Sequence, residues 1–197
     1  MFGFQRIHDL AWAAGDAQAK GFLIGATSGR TTLNGEGLQH QDGHSHVLSS
    51  TIPNCLSYDP AFAYEVAVII KDGIKKMYVD KENYFYYITT TNENYEHPPM
   101  IEGAEESIIK GMHKIESAEN PNIRLIGSGA ILRESIRAKS ILDTYKIKSE
   151  VWSVTSFNLL RKDGMEVERF NQLNPDLDEK ISYVEECFDG ESIPVIA

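Results

Sequence analysis

The sequence has few of the residues that mark secreted or membrane proteins. Its 197 residues include two cysteines, Cys55 and Cys187, which form no CxxC pair. We therefore expect free, buried thiols in a reducing compartment rather than a disulfide scaffold. No apolar run approaches the roughly 20 residues that a membrane helix needs. No basic segment precedes an apolar one near Met1, as a signal peptide would require. These absences predict a protein without membrane contact, in the cytoplasm or, if a leader has been lost, in an organelle matrix.

Basic residues are also scarce, with 19 Lys and Arg against 29 Asp and Glu and a net charge of −10. Proteins hold nucleic acid largely by neutralising phosphates with basic side chains, so we expect no nucleic-acid partner. The remaining composition, 42% hydrophobic and 24% charged, is ordinary for a folded soluble protein.

Short apolar segments alternate with helical patterns, which is typical of α/β folds. The predicted strands are residues 21–26, 54–58, 84–89, 122–126, 150–155 and 193–197. The predicted helices are residues 4–20, 60–71 (with Asp59 as the N-cap), 132–145 and 157–162. Strand, helix and strand over residues 122–155 form a βαβ unit, which implies a parallel sheet.

Residues 92–103 contain two prolines and a glycine, and they predict a boundary between two units. The first residues read as a helix in progress, and the last as a buried strand without a polar tail. Because natural domains usually end in exposed polar sequence, the ends predict a fragment of a longer chain.

The densest cluster of reactive side chains lies in a long polar segment, residues 27–50, that contains several glycines. Three of the six histidines fall within seven residues there, and two acids lie close by. These side chains are Glu36, His40, Asp42, His44 and His46. Histidine titrates near neutrality, and a neighbouring acid can orient or charge it.

Three interpretations of this segment compete. His40, Asp42, His44 and His46 are possible metal ligands, but their spacing matches no standard zinc pattern and no thiolate lies nearby. The segment is also typical of a solvated polar loop. The third interpretation is a catalytic loop whose histidines and Glu36 contact an anionic substrate. Composition and spacing leave the reaction unidentified.

Weaker candidates lie elsewhere. Gly127 and Gly129 follow a predicted strand, but the full GxGxxG pattern is missing, so an ordinary tight turn is favoured over a phosphate site. Residues 92–95 follow another strand and are a plausible pocket wall. His97 and His113 are isolated in the sequence and are interpreted as structural or exposed.

Several stretches resemble the homodimeric decarboxylating component of pyruvate dehydrogenase, in the transketolase-like thiamine-diphosphate superfamily. They include TSGRTTLNGEGLQHQDGHSH, TIPNCLSYDPAFAYEVAVII, YYITTTNENY, EGAEESIIKGMHKIE and SVTSFNLLRKDG. The resemblance implies a partial parallel sheet flanked by helices, followed by a partial transketolase C-terminal-like α/β domain. It implies that residues 1–100 are the latter part of the pyrimidine-binding domain and residues 101–197 the first part of the C-terminal domain.

The resemblance also implies a reaction. The parent enzyme would use thiamine diphosphate and Mg²⁺ to decarboxylate pyruvate, and would pass the acetyl group to the lipoyl group of dihydrolipoyl acetyltransferase. It would act as a homodimer, and the fragment alone would be inactive. The alternatives are another 2-oxo-acid or transketolase-like activity, or a non-catalytic truncated paralogue that binds the parent enzyme or its partner.

Three residues match functional positions of that family. Phe2 matches an aromatic residue of the aminopyrimidine pocket, His40 a histidine that reaches toward the reacting carbon, and Glu36 its acidic neighbour. His44, with Asp42, is given a supporting role. The sequence contains no GDG triplet, with which the family's metal motif begins. The resemblance therefore assigns no metal ligand to this chain and places the Mg²⁺ and diphosphate ligands outside it.

Overall fold

The computed structural model describes residues 3–26, 44–91, 93–190 and 192–197. These residues form two β-sheets with strand orders β1-β3-β2 and β4-β6-β5-β7. The strands are β1 (Phe22–Ala26), β2 (Cys55–Tyr58), β3 (Phe85–Thr90), β4 (Met112–Glu116), β5 (Ile123–Gly127), β6 (Ser149–Val154) and β7 (Val195–Ile196). The helices are α1 (His8–Asp16), α2 (Ser45–Ser49), α3 (Ala63–Ile74), α4 (Glu105–Lys110), α5 (Gly129–Thr144), α6 (Phe157–Leu173) and α7 (Tyr183–Phe188).

The first sheet is entirely parallel, with β3 at its centre. Its sequence, FYYITT, is rich in the aromatic and β-branched residues that suit a strand covered on both faces. Tyr86 and Ile88 are fully buried and share a core with Ile69 of α3. Phe85 and Tyr87 point into a second core that contains Phe4. The two cores therefore lie on opposite faces of β3.

The second sheet is mixed. The predicted βαβ unit is confirmed, because β5 and β6 pair in parallel and are connected by α5. Leu125, Leu132 and Val151 form its core. β4 was not predicted, and it pairs with β6 in the antiparallel direction. The turn before β4 uses Gly111 at φ 118°, a conformation open mainly to glycine.

Several predicted boundaries were wrong. The first helix is a 3₁₀ turn, Gly3–Arg6, followed by α1. α2 lies inside the segment that was predicted to be a loop. β7 forms as predicted, but its residues are exposed rather than buried. The helix predicted from residue 60 begins at Ala63, so Asp59 is not its N-cap.

Glu65 caps α3 instead of Asp59. Its Oε2 accepts hydrogen bonds from the backbone N–H groups of Ala61 at 2.6 Å and Phe62 at 3.0 Å. Its Oε1 lies 2.8 Å from Nε2 of His113 and accepts from Oγ of Ser153 at 2.6 Å. Glu65 is 0% exposed and His113 is 2% exposed. One buried carboxylate therefore joins α3 to β4 and β6 of the other sheet.

Loss of this carboxylate should destabilise the chain strongly. Glu65→Ala leaves four polar groups without their partner, and breaking a buried pair on one side costs about 3–5 kcal/mol. The matched control is Glu166→Ala, because Glu166 is 68% exposed and lies 3.8 Å from Lys162. Such exposed pairs contribute about 0–1 kcal/mol. Urea unfolding followed by circular dichroism measures both variants, and equal losses would contradict the role given to Glu65.

A second buried carboxylate lies inside the mixed sheet. Glu150 accepts hydrogen bonds from Lys114, from Nε of Arg124 at 3.2 Å and from Nε1 of Trp152 at 3.3 Å. Burial alone raises the pKa of Glu150. The hydrogen bonds from Lys114, Trp152 and Arg124, together with the charge of Lys114, outweigh it and hold that pKa below its ordinary value.

The chain should therefore lose part of its stability in acid because of Glu150. A carboxyl whose pKa is lower in the folded state stabilises the fold above its ordinary pKa, and this contribution is lost as the pH falls through the folded value. Glu150→Gln should lower the free energy of unfolding more at about pH 7 than at about pH 3. Urea titrations at both pH values measure the difference. An equal loss at both would exclude ionised Glu150 as the source.

Candidate functional site

The carboxyl ends of β1, β2 and β3 meet at one edge of the first sheet, because the three strands are parallel. Ligands of α/β sheets gather at such edges. The described chain breaks off at Ala26, the last residue of β1, and resumes at His44, directly before α2. The histidine-rich segment, residues 27–50, therefore joins the described chain at Ala26, at this edge, and its described part begins at His44.

Most of the predicted site residues lie outside the described residues. Phe2, Glu36, His40 and Asp42 fall in residues 1–2 and 27–43, and their roles stay predictions. His44 is described and exposed, and its Nδ1 lies 3.3 Å from Nε2 of Gln5.

The 3₁₀ turn that follows Phe2 packs against α2. The backbone N–H of Phe4 donates to Oγ of Ser45 at 3.0 Å. Phe4 is fully buried, and its ring centroid lies 5.0 Å from that of Tyr87. The chain just after Phe2 and the C-terminal part of the histidine-rich segment are thus held side by side.

His46, in the described part of the segment, is held by contacts to two other elements. Its Nε2 lies 3.0 Å from Oγ1 of Thr89, and its ring centroid lies 5.2 Å from that of Tyr87. Its carbonyl oxygen accepts from Nδ2 of Asn158 at 2.7 Å. His46 therefore contacts β3 of the first sheet and α6 of the second unit.

Asp59, directly after β2, connects four strand ends. Its Oδ1 accepts from Oγ1 of Thr89, near the end of β3, and its Oδ2 accepts from Oγ of Ser128, just after β5, at 2.9 Å. Its backbone N–H donates to the carbonyl of Thr155, just after β6, at 2.7 Å, and its carbonyl accepts from N–H of Gly129 at 3.0 Å. The carboxyl ends of the two sheets therefore meet at Asp59.

The N-terminus of α6 docks on β2 beside this junction. Ser156 caps α6 by accepting from the N–H of Leu159 at 3.1 Å, and its hydroxyl donates to the carbonyl of Ser57 at 2.6 Å. Asn158 donates to Oγ of Ser57 at 2.5 Å. The same asparagine thereby bridges β2 and the carbonyl of His46.

The pocket-wall hypothesis for residues 92–95 is confirmed for the described part of that segment. Glu93, Asn94 and Tyr95 line a cavity of about 290 Å³ at the carboxyl end of β3. His97 borders the same cavity and accepts a hydrogen bond from the N–H of Ala63 at 2.9 Å. His97 is exposed, and buried His113 is structural, as was expected.

The described part of the chain contains neither a cluster of metal ligands nor a reactive cysteine. No group of three or more His, Cys, Asp or Glu side chains there is placed to hold a metal ion. Both cysteines are free, as predicted, although Cys187 is only partly buried. Burial raises the pKa of the Cys55 thiol to about 12, so it is not a reactive thiolate.

Sequence reasoning missed Asp59, Thr89 and Asn158 as site residues. One signal was available for Asp59, since it is a charged residue directly after a predicted parallel strand, where ligands and functional side chains collect. The hydroxyl of Thr89 and the amide of Asn158 gave no such signal, because their partners are distant in the sequence.

Two protein-family models match the chain. The model of the pyruvate dehydrogenase E1 component middle domain matches residues 1–98. The model of the transketolase-like TK C-terminal domain matches residues 111–197.

Among individual proteins, the pyruvate dehydrogenase E1 component of Pseudomonas aeruginosa is 59% identical over 201 residues, which cover 100% of this chain and 23% of that protein. The same component of Escherichia coli K12 is 61% identical over 93% of this chain and 21% of that protein. The chain thus spans less than a quarter of the length of these relatives.

Solved structures confirm the predicted fold class. The transketolase from Campylobacter jejuni superposes with a TM-score of 0.65 at 16% identity, over 100% of this chain and 30% of that chain. The transketolase from Leishmania mexicana gives a TM-score of 0.61 at 15% identity, over 78% of this chain and 22% of that chain. At these identities the likeness concerns the fold alone.

The junction at Asp59 predicts opposite effects at two helix glycines. Gly129 has φ +48°, and an added Cβ would lie 2.7 Å from Oδ1 of Asp59, whereas Gly164 in α6 has nothing within 4 Å. Gly129→Ala should cost about 1–3 kcal/mol through strain and collision with the carboxylate. Gly164→Ala should stabilise the chain by about 0.5–1 kcal/mol. Thermal and urea unfolding test the pair, and a neutral Gly129→Ala would argue against the junction.

Proposed function

Because the chain belongs to the pyruvate dehydrogenase E1 component family, we propose that its parent protein decarboxylates pyruvate with thiamine diphosphate and Mg²⁺. In this proposal the acetyl group passes to the lipoyl group of dihydrolipoyl acetyltransferase. The observation that carries it is the identity of 59% over the whole chain to a protein of that name.

In this proposal the residues of this chain contact the aminopyrimidine end of thiamine diphosphate and not its diphosphate end. The sequence has no GDG triplet, and the described residues offer no cluster of metal ligands. We therefore assign the Mg²⁺ and diphosphate ligands to parts of the parent protein outside this chain. Phe2 is proposed to line the aminopyrimidine pocket. When bound, the cofactor supplies the nucleophilic carbon and the electron sink.

The protein's own contribution is proposed to come from the histidine-rich segment. His40 would donate a hydrogen bond to the oxygen of pyruvate that becomes negative in the transition state, or to its carboxylate. Glu36 would orient His40, and His44 would support the segment from its end. The attachment of this segment at Ala26, at the carboxyl edge of the sheet, supports the assignment.

The setting of the parent protein completes the proposal. We propose a homodimer in the cytoplasm, with a pyrimidine-domain portion at residues 1–100 and a C-terminal-domain portion at residues 101–197. Within the described ranges, no helix is long and apolar enough to cross a membrane.

The role of His40 predicts a large loss of rate. In the full-length parent with thiamine diphosphate and Mg²⁺, His40→Ala should slow carbon dioxide release from pyruvate at least about tenfold, because removing one such donor typically costs on the order of 100-fold. His8→Ala is the matched control, since His8 lies on α1, outside residues 27–50, and its Nε2 contacts Oγ1 of Thr51 at 3.4 Å.

Three outcomes of this assay are distinct. A selective loss in His40→Ala supports both the reaction and the residue. An unaffected rate removes His40 from the chemistry and keeps the reaction. A folded full-length protein that is inactive with pyruvate and other 2-oxo acids would refute the proposal and favour a non-catalytic paralogue that binds the parent enzyme or its partner.

A further inference from the structure

We propose that Asp59 is a positioning residue, which acts through Thr89 to hold His46, and with it the end of the histidine-rich segment, at the carboxyl edge of the sheet. This inference rests on the proposed function for its effect on rate. The placement itself rests only on contacts among described residues.

The direction of the hydrogen bonds follows from the chemistry of the three groups. Oγ1 of Thr89 has one proton, and both acceptors near it, Oδ1 of Asp59 and the carbonyl of Tyr58 at 3.3 Å, can only accept. The Thr89 hydroxyl proton is therefore donated to Asp59 or to Tyr58, and none is left for His46. His46 must then donate its Nε2–H to the Thr89 oxygen across the 3.0 Å contact.

This chain of donors sets the tautomer of a neutral His46 as well as its position. A neutral imidazole carries one proton, and donation from Nε2 selects the Nε2–H tautomer. Its carbonyl is held by Asn158 at 2.7 Å, and Tyr87 lies against its ring. His46 therefore cannot shift without losing contacts to Thr89 and Tyr87 of β3 and to Asn158 of α6.

Asp59 can serve as the anchor because its own backbone is held on both sides. Its N–H and carbonyl bond to Thr155 and Gly129 of the second unit at 2.7 and 3.0 Å. The hydroxyl of Ser128 occupies its second carboxylate oxygen at 2.9 Å. The position of His46 is thus set by the second unit as well as by the sheet on which it lies.

The effect on the proposed reaction follows from the sequence spacing. His46 lies six residues after His40 and two after His44. Misplacement of a reacting group by about 1 Å can cost on the order of 100-fold in rate. Loosening His46 should therefore lower kcat more than it changes KM, since the binding groups themselves stay in place.

The test uses the full-length parent enzyme and variants of Thr89. Thr89→Val removes the hydroxyl and should lower kcat for pyruvate about tenfold, with KM changed less than about threefold. Thr89→Ser keeps the hydroxyl and should recover most of kcat. Thr144→Val is the matched control, because the Thr144 hydroxyl is exposed and donates only to the carbonyl of Ile141 at 2.7 Å among the bonds that the structure defines.

A double variant distinguishes an Asp59–Thr89 pair that acts as one unit from two independent losses of activity. Adding Asp59→Asn to Thr89→Val should lower kcat little beyond Thr89→Val alone, because residues that act as one unit are not additive. Multiplied losses would overturn the linkage.

Hydrogen–deuterium exchange gives a readout that does not depend on activity. Amides of residues 45–52 should exchange faster in Thr89→Val than in wild type, and Thr89→Ser should restore slow exchange. Wild-type kcat or unaltered exchange in Thr89→Val would overturn the inference. An inactive wild-type parent would refute the proposed function, and the exchange rates alone would then decide whether Asp59 and Thr89 hold His46.

Discussion

A carboxylate that is removed from water must find donors for its oxygens, and Glu65 finds them on both units at once. Two come from the loop that follows β2 and two from strands of the other sheet. An unpaired buried carboxylate costs several kcal/mol, so the sheets are held in the arrangement that supplies all four donors. Apolar packing around α3 supplies the buried area between the two units. The hydrogen bonds of Glu65 fix how the two units are oriented there.

The carboxyl edge of the first sheet depends on that geometry. Asp59 lies on the same loop, six residues before Glu65, so the contact that sets the sheets also sets the position of Asp59. Its carboxylate joins strand ends from both sheets, and Thr89 extends the connection to His46. The contacts of Glu65 and those of Asp59 are therefore linked through the short stretch of backbone that joins the two residues. A substitution in the mixed sheet is therefore expected to alter the position of His46, even when the substituted residue does not contact the histidine-rich segment.

The fold could be predicted wherever a segment had an apolar run or a helical pattern of apolar residues that was visible in the sequence itself. The apolar runs of β1, β2 and β3 and the amphipathic face of α5 located these elements to within a few residues. The five-residue α2 and six-residue α4 are too short to show a helical period. The candidate site divides in the same way: local composition and the resemblance supplied His40 and His44. The contact between Asp59 and Ser128 spans 69 residues, and no local pattern contains it.

The turn at Gly127 and Gly129 shows that a glycine motif indicates where a group must approach the backbone closely, and that it does not identify that group. A glycine at the start of a helix lets an anion approach the backbone N–H groups, and phosphate sites use this device. Here the anion is the carboxylate of Asp59 from the other unit, whose Oδ1 lies 2.7 Å from the position that a Cβ of Gly129 would take. The interpretation as a tight turn agrees with the short connection from β5, which ends at Gly127, to α5, which begins at Gly129. The glycine is nevertheless required for the same reason as in a phosphate loop: a negative group must come close to the first turn of α5, and in this chain the protein itself provides it.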